Sequence, residues 1–163
     1  MLCALRRAGL DARGFDIRTV GAPAGTDPDA FADGLKTLIT VVRDVAETEA
    51  VLFGAQGFVS RAPALGRIVI SSTLSPRYVA ALRDRVPGHI ALVDAPMSGA
   101  QVAAREARLS FMLGGDPADL EALQPALAAM GAHFHPMGPF GAGMQAKVLN
   151  NLLATWQRVQ GGR

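Results

Sequence analysis

Short apolar runs rich in β-branched residues recur along this chain, and between them the apolar residues fall at helical spacing. That alternation constrains the fold more than any other feature, because a strand written as a near-continuous apolar run must be covered on both faces. The clearest runs are Leu35 to Val42 (LKTLITVV), Arg67 to Ser71 (RIVIS), Ile90 to Val93 and Leu109 to Leu113. Weaker strand signals lie at Ala12 to Ile17 and Ala132 to His135. Helical patterns fill the intervals: Met1 to Ala8, a short piece within Thr26 to Asp33, Val45 to Phe53, and Arg77 to Arg85 after Pro76. Asp116 to Met130 sets Leu120, Leu123, Leu127 and Met130 three or four apart, the stripe of an amphipathic helix. A last helix runs on from about Met144. The order predicts an α/β fold with a doubly wound, mostly parallel sheet.

Composition narrows the function classes. Half of the 163 residues are hydrophobic and 18% are charged, enough for one buried core and unlike a disordered chain. The net charge is +2 and the arginines are scattered, so no basic face with interleaved aromatics marks a nucleic-acid partner. No apolar run reaches the ~20 residues needed to cross a bilayer, and no apolar h-region follows Arg6 and Arg7, which argues against a signal peptide. Cys3 is the sole cysteine, which rules out an internal disulfide and fits a cytoplasmic protein; it reads as a small apolar side chain on the first helix. His133 and His135 share one face of a short strand without a third ligand nearby, so a surface strand is the expectation and a metal site is not.

Three segments carry chemistry. Ser71-Ser72-Thr73-Leu74-Ser75-Pro76 follows a buried strand, and in a doubly wound sheet ligands sit outside such strand ends. Ser75 before Pro76 also suits a helix N-cap. Asp94-Ala95-Pro96-Met97-Ser98-Gly99 lies at the next strand end, where small residues let backbone N–H groups approach an anion; it equally reads as a plain Pro/Gly turn. Gly141-Ala142-Gly143 then precedes Lys147 and Asn151, four apart and so on one helix face. A lysine there can hand a proton to a developing alkoxide and an amide can fix a hydroxyl, although both residue types are also ordinary on a solvated helix.

The ordered set Ser-Thr-x-Ser-Pro, Asp-Ala-Pro-x-Ser-Gly, Gly114-Gly115 and Gly-x-Gly-x-x-x-Lys-x-x-Asn-Asn resembles the β-hydroxyacid dehydrogenase family, which includes 3-hydroxyisobutyrate, threonate and 6-phosphogluconate dehydrogenases. The likeness covers the chain from Ala8 onward. Ile39 to Val42 and Val51-Leu52-Phe53-Gly54 look most like the threonate and 3-hydroxyisobutyrate branch. The resemblance implies a Rossmann-like fold binding NAD or NADP and a small β-hydroxy acid. Ser98 and Gly99 would hold the substrate carboxylate, Lys147 would be the catalytic acid/base, and Asn151 would position the hydroxyl. Val41, Val42, Ser72 and Thr73 would lie beside the cofactor. Asp16 would meet the adenosine ribose, which favours NAD, while Arg18 could pair with a 2′-phosphate instead.

The family also begins with a strand and a Gly-x-Gly-x-x-Gly turn, whereas Met1 to Gly9 looks like the later part of the helix after that turn. Residues 1–143 therefore read as a partial dinucleotide-binding domain and 144–163 as the start of an interdomain helix leading to a helical domain not included. The missing strand would be central, between those of Asp16 and Val41, leaving edges that could pair with another chain in a homo-oligomer. Ala100 and Ala107 stand where the family usually has glycine. The expectation is a dehydrogenase fragment of weak or absent activity, the alternative a non-catalytic nucleotide-binding or oligomerising relative.

Overall fold

The computed structural model describes residues 1–18, 24–99 and 101–161. In chain order the elements are α1 (Leu2–Arg7), β1 (Gly14–Phe15), β2 (Ala24–Gly25), α2 (Pro28–Ala32), β3 (Thr37–Thr40), α3 (Val45–Leu52), α4 (Phe58–Arg61), β4 (Arg67–Ile70) and α5 (Pro76–Ala81). A 3-10 turn at Leu82–Asp84 prolongs α5. There follow β5 (Ala91–Asp94), β6 (Met97–Ser98), α6 (Gln101–Arg105), β7 (Leu109–Gly114), α7 (Pro117–Met130), β8 (Gly131–Gly138) and α8 (Ala142–Gly161).

The main sheet runs β3-β4-β5-β7-β6, with β8 also paired to β7. Strands β3, β4 and β5 are parallel neighbours, as are β7 and β8. β7 meets β5 in antiparallel sense through the single pair Asp94 and Gly114, and β6 also lies antiparallel to it. The predicted two-sided burial is what the strands show. In β4, Ile68 and Ile70 enter one core with Leu52, Phe58, Val79 and Leu82, while Val69 enters the other with Phe111, Leu123 and Leu127. In β5, Leu92 and Val93 divide the same way. Successive strand residues point to opposite faces, so a strand apolar at every position requires both layers of helices.

β1 and β2 form a separate parallel pair. A slot of about 710 Å³ separates β1 from β3, lined by both strands and by Leu2, Leu5, Leu123 and Met130. Among the described residues, β3 pairs with β4 alone and β1 with β2 alone. The order β2-β1-slot-β3-β4-β5 thus leaves a gap where the sequence pattern lacks its central strand. Beyond the slot, Phe15, Phe31 and Phe58 pack with ring centroids 5.1–5.5 Å apart and tie β1 to α2 and α4.

Several local expectations change. α4, β6 and α6 are too short to leave a periodic trace in the sequence. Ser75 occupies the N-cap position of α5 but makes no side-chain cap bond; Asp27, Asp44 and Asp116 do cap their helices. Cys3 is exposed on α1 rather than packed. His133 and His135 lie exposed on β8, and no group of three metal-ligating side chains forms among the described residues. Ala100 lies outside the described residues.

Ala107 adopts φ +54°, the one non-glycine residue at positive φ among those described. A Cβ in that region crowds the carbonyl oxygen at a cost of roughly 1–2 kcal/mol. Ala107→Gly should therefore raise the unfolding free energy by about 0.5–1 kcal/mol once the added unfolded-state entropy is subtracted. A urea melt with an unchanged or lower midpoint would contradict this.

Candidate active site

The carboxyl ends of β3, β4 and β5 lie in register, with Thr40 beside Ile70 and Ile70 beside Asp94. The segments after them therefore border one end of the sheet, here called the strand-end crevice, where a parallel sheet is expected to hold its ligands. Val41 follows β3 and is exposed, with Val42 half-buried behind it. The Ser72 hydroxyl is buried and accepts from the Val42 N–H at 2.8 Å, so it fastens the ends of β3 and β4 together. Thr73 beside it is exposed to the crevice. At the end of β1, Asp16 is half-buried, and its Oδ1 accepts from the Arg18 N–H at 2.9 Å, with the guanidinium Nε at 3.5 Å.

The third segment meets the second. Lys147, on the second turn of α8, donates from Nζ to Ser98 Oγ at 2.8 Å, and its side chain is nearly sealed from solvent. Asn150 donates from Nδ2 to the same oxygen at 3.3 Å. Asn151 is exposed, and its backbone carbonyl accepts from the Thr155 hydroxyl. Ser98 and Lys147 thus come together as the sequence suggested. Asn150 is a contact that the pattern did not single out, although its spacing of three from Lys147 also puts it on the same side of a helix. Gly99 turns at φ +135°, where a Cβ would press on Leu109 and Ala103 at 2.9 and 3.0 Å, so a side chain is excluded there.

Burial and bonding set the charges. Desolvation holds the Lys147 ammonium below its ordinary value, since among the described residues no salt bridge involves it. Asp94, fully buried at the end of β5, is pushed up by desolvation and pulled back by N–H groups of Gly141 and Met144. Met144 is buried as well, and its sulfur accepts from the Leu74 N–H at 3.2 Å, which holds the 72–74 loop against α8.

Comparison with known proteins gives a consistent picture. The family described as the NAD binding domain of 6-phosphogluconate dehydrogenase matches residues 9–138. The mitochondrial 3-hydroxyisobutyrate dehydrogenase of Rattus norvegicus is 30% identical over 139 residues, 85% of this chain and 42% of the relative. The L-threonate dehydrogenase of Pectobacterium atrosepticum is 30% identical over 158 residues, 90% of this chain and 52% of the relative. Among solved structures, Mycobacterium tuberculosis 3-hydroxyisobutyrate dehydrogenase with L-serine superposes with a TM-score of 0.84 at 28% identity, covering 96% of this chain and 56% of that one. The chain spans about half the length of the curated relatives it matches.

A lysine whose folded pKa lies below its unfolded value loses its proton first in the folded state. The unfolded chain then binds more protons between the two values, and stability rises with pH through that window. Unfolding free energy measured from neutral pH up to the ordinary lysine range should therefore climb in the wild type relative to Lys147→Met. Parallel pH profiles for the two proteins would show that Lys147 is not desolvated.

Proposed function

This chain belongs to the family of the NAD binding domain of 6-phosphogluconate dehydrogenase, on its 3-hydroxyisobutyrate and L-threonate dehydrogenase side, and from that premise we propose that it is the cofactor-binding half of an oxidoreductase acting on a small β-hydroxy acid. The observation that carries the reading is the 2.8 Å contact between the Lys147 ammonium and the Ser98 hydroxyl across a strand-end crevice.

The residues fit the two ends of NAD or NADP better than its middle. Asp16 offers a second carboxylate oxygen, with no bond among the described residues, to a ribose hydroxyl. Its charge favours NAD; the exposed Arg18 guanidinium beside it is the feature that a 2′-phosphate would use. Val41, Val42 and Thr73 provide the apolar and hydroxyl wall at the nicotinamide end. Between them lies the slot, and among the described residues no glycine-rich turn opens a helix there to take the pyrophosphate.

The bound nicotinamide supplies a hydride acceptor, and the protein supplies placement and proton handling. The Gly99 turn and the Ser98 hydroxyl receive the substrate carboxylate. Lys147, whose pKa burial lowers from the ordinary lysine value, takes the proton of the substrate hydroxyl as the carbinol is oxidised and returns it in the reverse direction. Asn151, one helical turn beyond Lys147, bonds the hydroxyl, while Asn150 steadies Ser98. Small 3-hydroxy carboxylates of the size of 3-hydroxyisobutyrate, L-threonate or L-serine are the substrate class.

Residues 1–143 form the dinucleotide-binding part of this reading and 144–163 the connecting helix. α8 carries Leu149, Leu152, Leu153, Trp156 and Val159, each more than 60% exposed. An apolar stripe of that extent on a helix is a packing face, here assigned to a helical domain of the parent enzyme.

Titrating 3-hydroxyisobutyrate, L-threonate and L-serine with NADH present should shift the backbone amides of Ser98 and Gly99 saturably. Any hydride transfer should fall by roughly 10²–10⁴-fold in Lys147→Ala. Saturable shifts without Lys147-dependent turnover would assign a non-catalytic relative; shifts confined to other regions would overturn the site.

A further inference from the structure

Asp94 has no exposed surface, and among the described residues no cation bonds to it. Its partners are main chain. Oδ1 accepts from the Gly141 N–H at 2.6 Å and Oδ2 from the Met144 N–H, across 47 and 50 residues of sequence. Both donors belong to the start of α8, where the first N–H groups of a helix lack intrahelical acceptors and the aligned peptide dipoles favour an anion. A carboxylate therefore caps this 20-residue helix from another strand.

The cap is tightly enclosed. A Cβ on Gly114 would overlap Asp94 Oδ1, and one on Gly143 would stand 3.0 Å from Oδ2. Gly143 also packs against the Met112 carbonyl, so α8 starts in direct contact with β7. The arrangement closes a ring. From Asp94 the chain runs four residues to Ser98; from Met144 it runs three residues to Lys147; Lys147 Nζ then meets Ser98 Oγ at 2.8 Å. The two segments are cross-linked twice, once by the cap and once by the functional contact.

One residue along a helix is 1.5 Å of rise and a turn of 100°, so slippage of α8 by a single residue would take Nζ out of reach of Ser98. We propose that Asp94 is a positioning residue: by capping α8 from β5 it fixes the helix's height and rotation, and so places the Lys147 ammonium on the Ser98 hydroxyl. The proposal rests on the reading of Lys147 as the proton-handling group, but its test does not need turnover.

The chain has two lysines, Lys147 and the exposed Lys36. Limited acetylation with acetic anhydride, quantified by peptide mass spectrometry, reports access to Lys147 against Lys36 as an internal reference. Asp94→Asn keeps the shape but offers one side-chain oxygen and turns an NH2 group towards the second N–H. In folded Asp94→Asn the Lys147 to Lys36 labelling ratio should rise about tenfold, the size of a modest local opening. Leu127→Ala, in the core beneath α7, lowers stability without touching the ring and should leave the ratio at the wild-type value. A wild-type ratio in Asp94→Asn, or an equal rise in Leu127→Ala, would overturn the proposal. If Asp94→Asn does not fold, wild-type hydrogen exchange decides: Gly141 and Met144 amides protected like those of β5 support the cap, and rapid exchange sinks it. Increased labelling in an enzyme that never turns over would refute the dehydrogenase reading alone.

Discussion

The approach of α8 to the ends of β5 and β7 is so close that side chains have almost no place in it. Gly114 and Gly143 meet backbone to backbone, with the Asp94 carboxylate set between them. Burying a carboxylate is costly unless its oxygens are satisfied, and a buried helix start is costly unless its N–H groups are. Each liability here answers the other. Charge-assisted bonds to a carboxylate contribute more than neutral ones, about 1.5–3 kcal/mol each, and a glycine at both neighbouring positions lets them form. The Met144 sulfur extends the junction to the 72–74 loop. All three chemistry-bearing segments therefore converge on one point of packing.

That convergence makes the two halves of the crevice unequal. On the side of β4, β5 and α8, polar groups are bonded to one another: Ser72 to Val42, Asp94 to α8, Lys147 and Asn150 to Ser98. On the side of β1 and β3, the slot leaves strand edges unpaired among the described residues, and Val41 and Val42 line it. In the proposed reading, substrate placement would depend on the first half and dinucleotide placement on both. The Ser98–Lys147 side is thus preorganised within this chain, whereas the side at the slot, where the proposed pyrophosphate would lie, is open among the described residues.

How much of this the sequence discloses follows from the range of each interaction. The main strands of the sheet and the long helices were legible because burial on both faces and the 3.6-residue stripe are local patterns. The gap between β1 and β3 was legible through the missing glycine-rich turn. β6 was not, since two residues carry no period, and its pairing with β7 comes from the return of the chain after Pro96. The pairing of Ser98 with Lys147 followed from motif order. The role of Asp94 did not: at the strand end it read as part of an anion-binding turn, and only the fold brings Gly141 and Met144 to it. Ser75 shows the opposite error. Its type and position suit a cap, but the side chain makes no such bond.

The hydrogen-bond inventory at Ser98 narrows what the crevice can receive. A serine hydroxyl has one proton and two lone pairs. Lys147 and Asn150 both donate to Ser98 Oγ, which occupies the two acceptor sites and leaves the proton to be given away. The next group in the crevice must therefore be an acceptor, and an anion is the strongest one. Gly99, whose conformation excludes a side chain, leaves its backbone open to the same visitor. A lysine ammonium has three donors, and one is spent on Ser98. In the proposed reading Lys147 Nζ would stand beside that anion, so a molecule joining a carboxylate to a hydroxyl a few bonds away would meet complementary groups at both ends. Under the proposed function, a hydroxy acid would meet the Ser98 proton with its carboxylate and Lys147 with its hydroxyl, whereas a neutral alcohol would offer the Ser98 proton only a weaker, uncharged acceptor.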